Sequence, residues 1–227
     1  MKYKIVRDNR RKKVAIKISN DNEILVLAPK NATKKQIELL VKTNENIIRD
    51  KVKEFNSLKI NNGSEKSQLF LMGKKIKTQI SYVKEAGNQL KYTGEEIQIY
   101  VFEKESDKEK AINEIIANWY KKIAKAYLSH MVQEKARVLG FNINNIRIKD
   151  VETIWGSCSS KGNINLNYRL IMMPERIISY VIIHELCHLK EMNHSKKFWT
   201  LVEGYDMNYK LHRNFLKTEG NMYRLLI

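Results

Sequence analysis

The sequence predicts a mixed α+β fold, because strand-period and helix-period hydrophobic patterns occupy different stretches of the chain. Period-two patterns dominate residues 1–103, and helical patterns dominate residues 104–227. We therefore expect a β-rich N-terminal region with one amphipathic helix, then a domain with a long backing helix, a buried helix and small antiparallel sheets. With 227 residues, 43% of them hydrophobic, the chain is long enough to bury a substantial core.

Composition and charge narrow the functional classes. The longest apolar stretch, residues 177–183, is interrupted by Ser179 and is too short to cross a membrane. The N-terminus is rich in Lys and Arg where a signal peptide would have its apolar segment. Two cysteines, Cys158 and Cys187, are too few for a disulfide framework and indicate reduced thiols. We therefore expect a cytoplasmic protein that does not bind membranes.

The N-terminal region begins with a predicted hairpin. Residues 13–18 and 23–28 alternate apolar and polar side chains on either side of a Ser-Asn-Asp-Asn cluster. Thr33 followed by Gln36 is a capping-box signature, and the helical spacing behind it predicts one amphipathic helix over residues 34–56.

The remaining elements follow from glycines, prolines and periodicity. Short apolar runs separated by glycines predict antiparallel strands between residues 69 and 102. A long amphipathic helix then ends at Gly140, a C-cap residue type. Residues 146–155 and 163–172 are expected to pair as strands, and Pro174 suits the first turn of the next helix.

The strongest chemical signal is an H-E-x-x-H motif. His184 and His188 are four residues apart and share one helix face, so both imidazoles can bind a single metal ion. Zinc accepts such ligands, and Glu185 is placed beside the metal as a general base for the water that the metal activates. We therefore predict Zn²⁺ as the cofactor.

A third ligand is required, because catalytic zinc sites usually have three protein ligands and one open position. His194 is the favoured candidate, with Glu203 as the alternative. For His194 to reach the metal, the helix has to stop near Met192 and the chain has to turn. Asn193 tolerates the left-handed conformation that such a turn needs, and Ser195 is expected to cap the next helix.

Burial also favours a metal over structural histidines. The segment preceding the motif, residues 177–183, is apolar almost all round, so the helix is expected to be buried. Buried imidazole and carboxylate groups are costly without partners, and a metal ion provides one.

The chain resembles the YgjP-like metal-dependent hydrolases, which are predicted zinc peptidases related to the SprT and WLM groups. The resemblance is carried by residues 155–167 (WGSCSSKGNINLN), by residues 184–194 and by Phe198-Trp199, with weaker similarity in the N-terminal hairpin and residues 71–73. It implies a zincin-like metallohydrolase domain over residues 104–227. It also implies His184, His188 and His194 as zinc ligands and Glu185 as the general base.

Three functions are compatible with this site. A zinc metallopeptidase acting on a peptide or protein is favoured by the H-E-x-x-H motif. A zinc-dependent nucleoside triphosphate pyrophosphatase is the alternative, since the basic N-terminal strand within residues 1–17 offers a polyanion contact, and the resemblance includes such an activity. A nucleic-acid-binding protein with structural zinc is the third, suggested by the net charge of +17.

The sequence leaves open the role of residues 163–167 and the identity of the residue that stabilises an oxyanion, but it predicts a role for Cys187. Residues 163–167 are either an edge strand that pairs with an extended peptide substrate or part of an ordinary hairpin. Cys187 points away from the metal and is expected to be a packing thiol. Several side chains are plausible electrophiles for a developing oxyanion: Tyr168, Arg169, Tyr205, His212 and Arg213.

Overall fold

The structure, a computed structural model, describes residues 1–9, 11, 13–18, 23–50, 69–85, 87–151 and 153–225. The chain forms two compact units, residues 1–61 and 62–227. The larger unit contains the sheet that precedes the long helix as well as the helices that follow it. The domain division at residues 103/104 stays a prediction.

The first unit has a three-stranded sheet in the order β1-β3-β2. Strands β2 (Ala15–Ile18) and β3 (Ile24–Ala28) pair in antiparallel fashion, so the predicted hairpin is confirmed, while its turn lies outside the described residues. Strand β1 (Lys4–Arg7) pairs with β3 in parallel. All of its side chains are exposed, so the strand lacks the alternation of buried and exposed positions from which a strand is predicted in a sequence.

Helix α1 (Lys34–Thr43) begins with the predicted capping box, in which Thr33 and Gln36 exchange side-chain to backbone hydrogen bonds. The prediction of one continuous helix is wrong at Asn44, whose side chain donates to the Leu40 carbonyl at 2.8 Å and closes the helix. A helical stretch α2 continues over residues 45–50, and the rest of the predicted helix lies outside the described residues. Buried side chains from β3, α1 and α2 form the core of this unit, including Val26, Ala28, Ile37, Val41 and Ile48.

The second unit begins with a four-stranded sheet in the order β4-β5-β7-β6. The strands are β4 (Leu69–Leu71), β5 (Lys74–Val83), β6 (Gln89–Tyr92) and β7 (Glu96–Phe102). Strand β4 is antiparallel to β5 and β6 is antiparallel to β7, as expected, but β5 and β7 pair in parallel. The all-antiparallel prediction was wrong because β6 occupies the outer edge and leaves β7 to pair with β5.

Helix α3 (Lys108–Leu139) is the predicted long backing helix. It ends at Gly140, which has the left-handed conformation (φ 71°) expected of a C-cap glycine. Its buried Tyr120 hydroxyl donates to the Phe70 carbonyl at 2.6 Å and accepts the Phe70 N–H at 3.1 Å. These two hydrogen bonds attach the helix to the four-stranded sheet.

A second small sheet has the order β8-β10-β9, formed by β8 (Asn145–Lys149), β9 (Gly156–Cys158) and β10 (Asn163–Asn167). Strand β10 is parallel to β8 and antiparallel to β9. The predicted pairing of two long strands is therefore only partly right, because β8 ends at residue 149 and residues 168–172 form a 3₁₀ helix. Of the two alternatives left open for residues 163–167, the structure excludes the edge strand, since β10 is the central strand.

The remaining helices are α4 (Glu175–Cys187), α5 (Lys196–Tyr205), α6 (Tyr209–Thr218) and α7 (Gly220–Leu225). Helix α4 packs against α3, α5, α6 and β9. Most of its side chains are buried, as the sequence predicted. None of the helices in the described part of the chain combines the length and the apolar character needed to cross a membrane.

The turn between β4 and β5 fixes the start of α4. Met72 and Gly73 donate backbone hydrogen bonds to the carbonyls of Ile171 and Met172 at 2.8 and 2.9 Å. Gly73 has φ 79°, and a Cβ at this position would lie 2.8 Å from the ring of Pro174, the N-cap of α4. Only glycine allows both this conformation and this approach.

We predict that Gly73→Ala lowers the free energy of unfolding by about 2–4 kcal/mol, because left-handed strain and overpacking against Pro174 add together. Gly140→Ala is the matched control: its φ of 71° is similar, but a Cβ there meets no atom within 4 Å. It is expected to cost only about 1–2 kcal/mol. Urea denaturation of both variants measures the difference, and equal losses would contradict the packing argument.

Candidate metal centre

The structure brings the three predicted histidine ligands together. His184 lies in the last turn of α4, His188 is the C-cap residue of that helix, and His194 lies between α4 and α5. One ligand atom from each histidine lies within 4.8 Å of the other two. The Nε2 atoms of His184 and His194 are 3.0 Å apart, so both rings point their outer nitrogens at one small volume.

The chain turns towards His194 earlier than the sequence predicted. Helix α4 ends at Cys187 rather than near Met192, and tight turns follow in which Leu189 and Lys190 donate to carbonyls three residues back. The expected left-handed conformation of Asn193 is wrong, because Met72 is the one non-glycine residue with positive φ in the described part of the chain. Consecutive short turns reverse the direction of the chain without a left-handed residue at position 193.

The start of α5 holds His194 in place. Ser195 is the N-cap, as predicted, and its hydroxyl accepts the Phe198 N–H at 3.3 Å. This cap places Phe198 and Trp199 directly against the histidines. Phe198 stacks on His188 with a centroid distance of 4.5 Å, and Trp199 stacks on His194 at 5.5 Å. The aromatic rings exclude water from one side of the cluster and restrict the imidazole rotamers.

His188 has a backbone partner that the sequence did not predict. Its Nδ1 lies 3.1 Å from the Glu191 carbonyl oxygen, so a hydrogen on Nδ1 is donated there and Nε2 is left with its lone pair. This is the tautomer that a metal ligand requires. The group that orients His188 is thus a backbone carbonyl in the turn that follows α4.

Burial favours the neutral form of His184 and His194. The pKa of His184 is lowered to about 3, mainly by burial and also by the neighbouring His188, His194 and Arg213. Burial also lowers the pKa of His194, with His188 and Arg213 acting in the same direction. Neutral imidazoles are the form that binds metals, so the site is prepared to accept a cation near neutral pH.

Glu185 lies beside the cluster in an apolar environment. Its side chain is only 5% exposed, and burial raises the pKa of its carboxyl group to about 8. Strand β9 passes so close that a Cβ on Gly156 would lie 2.6 Å from Glu185 Oε1. The sequence contained Gly156 in a recognisable motif, but the need for glycine there becomes visible only in three dimensions.

The residues fit a metal ion. The Oε2 atom of Glu185 is buried and has no hydrogen-bond partner in the described part of the chain, and Nε2 of His184 faces Nε2 of His194 at 3.0 Å. Three imidazole nitrogens face one another where no hydrogen bonding between neutral rings can satisfy them all. Within the described ranges the group has three members, the number that leaves one coordination position open for chemistry.

The other candidate residues from the sequence are placed elsewhere or in structural roles. Glu203, the alternative ligand, pairs with Lys210 at 3.6 Å and is outside the histidine group. Arg169 is buried and pairs with Asp150 at 2.6 Å. Tyr205 packs on Phe141, Tyr168 is buried with Arg169 over its ring, and Cys187 is buried, in agreement with a packing role.

Helix α6 contributes the remaining polar groups near the histidines. The Nδ1–H group of His212 donates to the Asp206 carboxylate at 2.7 Å, and Arg213 lies over the Trp199 ring. Tyr180, which the sequence analysis missed, lies one helical turn before His184 with a ring-centroid distance of 5.9 Å. Its i−4 spacing from His184 was the available signal.

The raised pKa of Glu185 predicts how the stability of the metal-free protein depends on pH. The folded-state value of about 8 lies above the ordinary value of 4.5, so the carboxyl group favours folding most at low pH, and this contribution is lost as pH rises through 8. Glu185→Gln removes this pH-dependent loss of stability. Between pH 5 and 8, the free energy of unfolding of the metal-free variant should therefore rise relative to that of metal-free wild type by up to about 1.4 kcal/mol per pH unit.

Urea denaturation in the presence of a chelator at pH 4.5, 6 and 8 measures this gain. Glu203→Gln removes an exposed carboxylate by the same substitution and is the control. A Glu185→Gln difference from wild type that stays constant across this range would contradict the burial argument.

Comparisons with known proteins identify the family. A comparison with curated proteins gave no match. Among solved structures, the metallopeptidase zymogen abylysin of Pyrococcus abyssi is 27% identical with a TM-score of 0.36, and jannalysin of Methanocaldococcus jannaschii, also a metallopeptidase zymogen, is 25% identical with a TM-score of 0.37. Each alignment covers 40% of this chain and 95% of the other. The model of the YgjP-like metallopeptidase domain matches residues 12–219, so the chain belongs to this family and is a hydrolase of the metallopeptidase type.

Proposed function

We propose that the protein is a zinc-dependent peptidase in which His184, His188 and His194 hold the metal and Glu185 is the general base. The observation that carries the proposal is the convergence of three histidine nitrogens within 4.8 Å beside a buried, unpartnered carboxylate. Three neutral imidazoles and an open position are the ligand set of a catalytic zinc site rather than a closed structural one.

The metal, when bound, would polarise the scissile carbonyl and make water acidic enough to be deprotonated near neutral pH. Glu185 accepts the proton of the attacking water and later donates it to the leaving amine. The carboxylate is the form that accepts a proton, and the charge of a metal bound beside it would favour that form and oppose the effect of burial on the pKa of Glu185. Phe198 and Trp199 shield the site from bulk water, which strengthens every charge interaction within it.

Strand β9 offers a binding edge for an extended peptide. It pairs with β10 on one side, and it is the outermost strand of its sheet. Gly156 on this strand lies against Glu185, so a peptide that pairs with the free edge passes next to the general base. The role that the sequence analysis considered for residues 163–167 therefore moves to residues 156–158.

No observation favours the two alternative functions. Arg7 of the basic N-terminal strand donates to the carbonyls of Pro29 and Ala32 at 3.2 and 2.9 Å, a structural role. A structural zinc site is normally closed by four ligands, and the group found within the described ranges has three.

Metal binding tests the ligand set. We predict that His194→Gln weakens zinc binding by more than about 100-fold, because loss of even an outer hydrogen-bond partner of a ligand costs 10–100-fold. Glu203→Gln should bind zinc as wild type does, since Glu203 is held by Lys210. Competition with a chromogenic chelator measures both affinities. The reverse result would assign the third position to Glu203.

Turnover tests the general base. We predict that zinc-loaded wild type cleaves unfolded casein and that Glu185→Gln retains zinc but is slower by about 10²- to 10⁴-fold. Both proteins are incubated with casein and nucleoside triphosphates, and products are identified by mass spectrometry. Undiminished peptide release by the zinc-loaded variant would refute the mechanism. Pyrophosphate released by wild type alone, without peptides, would replace it with nucleotide hydrolysis.

A further inference from the structure

Arg213 lies close to the predicted metal ligands through a shared aromatic neighbour. Its guanidinium carbon is 4.5 Å from the centre of the Trp199 ring. The same ring is 5.5 Å from the His194 ring and 5.7 Å from the His184 ring, measured between centroids. Helix α6, which carries Arg213, packs against α4, which carries His184. The positive charge therefore lies at the side of the histidine cluster.

Arg213 has no anionic partner in the described part of the chain. It forms no ion pair and no hydrogen bond there, although its charge lowers the pKa of His184 and His194 after the larger effect of burial. Other cations nearby are neutralised: Lys210 on the same helix pairs with Glu203. The nearby Asp206 carboxylate is bound to His212 at 2.7 Å.

Stacking on Trp199 prepares this guanidinium for a ligand. An arginine over an aromatic face keeps its plane fixed while the N–H groups at its edge remain available. Those N–H groups match the two oxygens of a carboxylate in a bidentate arrangement. A flexible, solvated surface arginine has no such orientation, so the Trp199 contact distinguishes Arg213 from an ordinary surface charge.

Tyr180 adds a second donor on the same side. The residue is 3% exposed, and its hydroxyl forms no hydrogen bond with any described residue. Burial raises the pKa of Tyr180 to about 12, while the Arg213 charge acts in the opposite direction, so guanidinium and hydroxyl are within electrostatic range of each other. The hydroxyl oxygen is not among the fully buried side-chain atoms that lack a partner in the described part of the chain, so it reaches the surface of the site and can donate to an acceptor on a ligand.

We propose that Arg213, assisted by the Tyr180 hydroxyl, binds a carboxylate of the peptide substrate near the scissile bond. This carboxylate belongs either to an Asp or Glu side chain or to the C-terminus of the substrate. The inference rests on the proposed peptidase function and defines its substrate class. An anionic group also offsets the positive charges that the metal and Arg213 bring to one site.

Binding without turnover tests the proposal. A casein peptide that wild type cleaves is resynthesised with Glu or Gln at the positions flanking the cleaved bond, each with a free or an amidated C-terminus. Affinities for the zinc-loaded Glu185→Gln protein are measured by calorimetry. We expect about tenfold tighter binding of the carboxylate-bearing member of one pair. The Glu/Gln pair identifies a side-chain carboxylate, and the free/amidated pair identifies the C-terminus.

Variants then assign the preference to Arg213. Combining Glu185→Gln with Arg213→Gln should reduce the preference to about one, and Arg213→Glu should reverse it in favour of the uncharged peptide. Lys210→Gln is the matched control, an exposed cation on the same helix, and should leave the preference unchanged. Tyr180→Phe should reduce the preference only in part. Thermal melts and zinc content verify that each variant is folded and loaded.

Several results would overturn the inference while leaving the peptidase function intact. One is equal affinity for all four peptides in a protein that cleaves casein. Another is a preference that survives Arg213→Gln. A third is an equal fall in kcat for every peptide in an otherwise wild-type Arg213→Gln enzyme, which would assign Arg213 to the transition state. A wild type that cleaves no casein would instead refute the peptidase function and the inference together.

Discussion

The structure depends on the burial of one helix that carries polar chemistry inside an apolar shell. Helix α4 is covered by α3, α5, α6 and β9, and its apolar side chains contribute much of the core of the larger unit. The same burial desolvates His184 and Glu185. It lowers the pKa of His184 and raises the pKa of Glu185, so both groups are neutral near pH 7 in the metal-free protein. A metal ion offsets this desolvation by accepting the imidazole lone pairs. Stability and chemistry are therefore linked through one element.

Two glycines set the position of this helix relative to its surroundings. Gly73 allows the β4–β5 turn to lie against Pro174 at the start of α4, and Gly156 allows β9 to lie against Glu185 three turns later. Each contact brings the backbone of a different sheet to one side of the helix. Together they hold Glu185, the proposed general base, between the end of a strand and the histidine cluster, with little freedom to move sideways.

Charge around the site is arranged locally and does not follow from the overall composition. The net charge of +17 is spread over many exposed lysines, and cations such as Lys210 and Arg169 have carboxylate partners. Arg213 differs because its contact is an aromatic ring that also touches the histidines. The proposed contact of Arg213 with a substrate carboxylate acts at hydrogen-bond distance, where salt screens charges less than it does between widely separated surface groups.

The sequence by itself determined the features that depend on neighbours within a few residues. These include the capping boxes and caps at Thr33, Gly140 and Ser195, the long helix and the shared face of His184 and His188. It also predicted His194 as the residue that joins them, although the turn that brings it there is of another kind. Only the tertiary structure decided the parallel pairing of β5 with β7, the central place of β10 and the contacts of Gly156 and Arg213. Helix periods and caps are set by local hydrogen bonds, whereas strand partners and contacts between helices depend on which distant segments compete for the same surface.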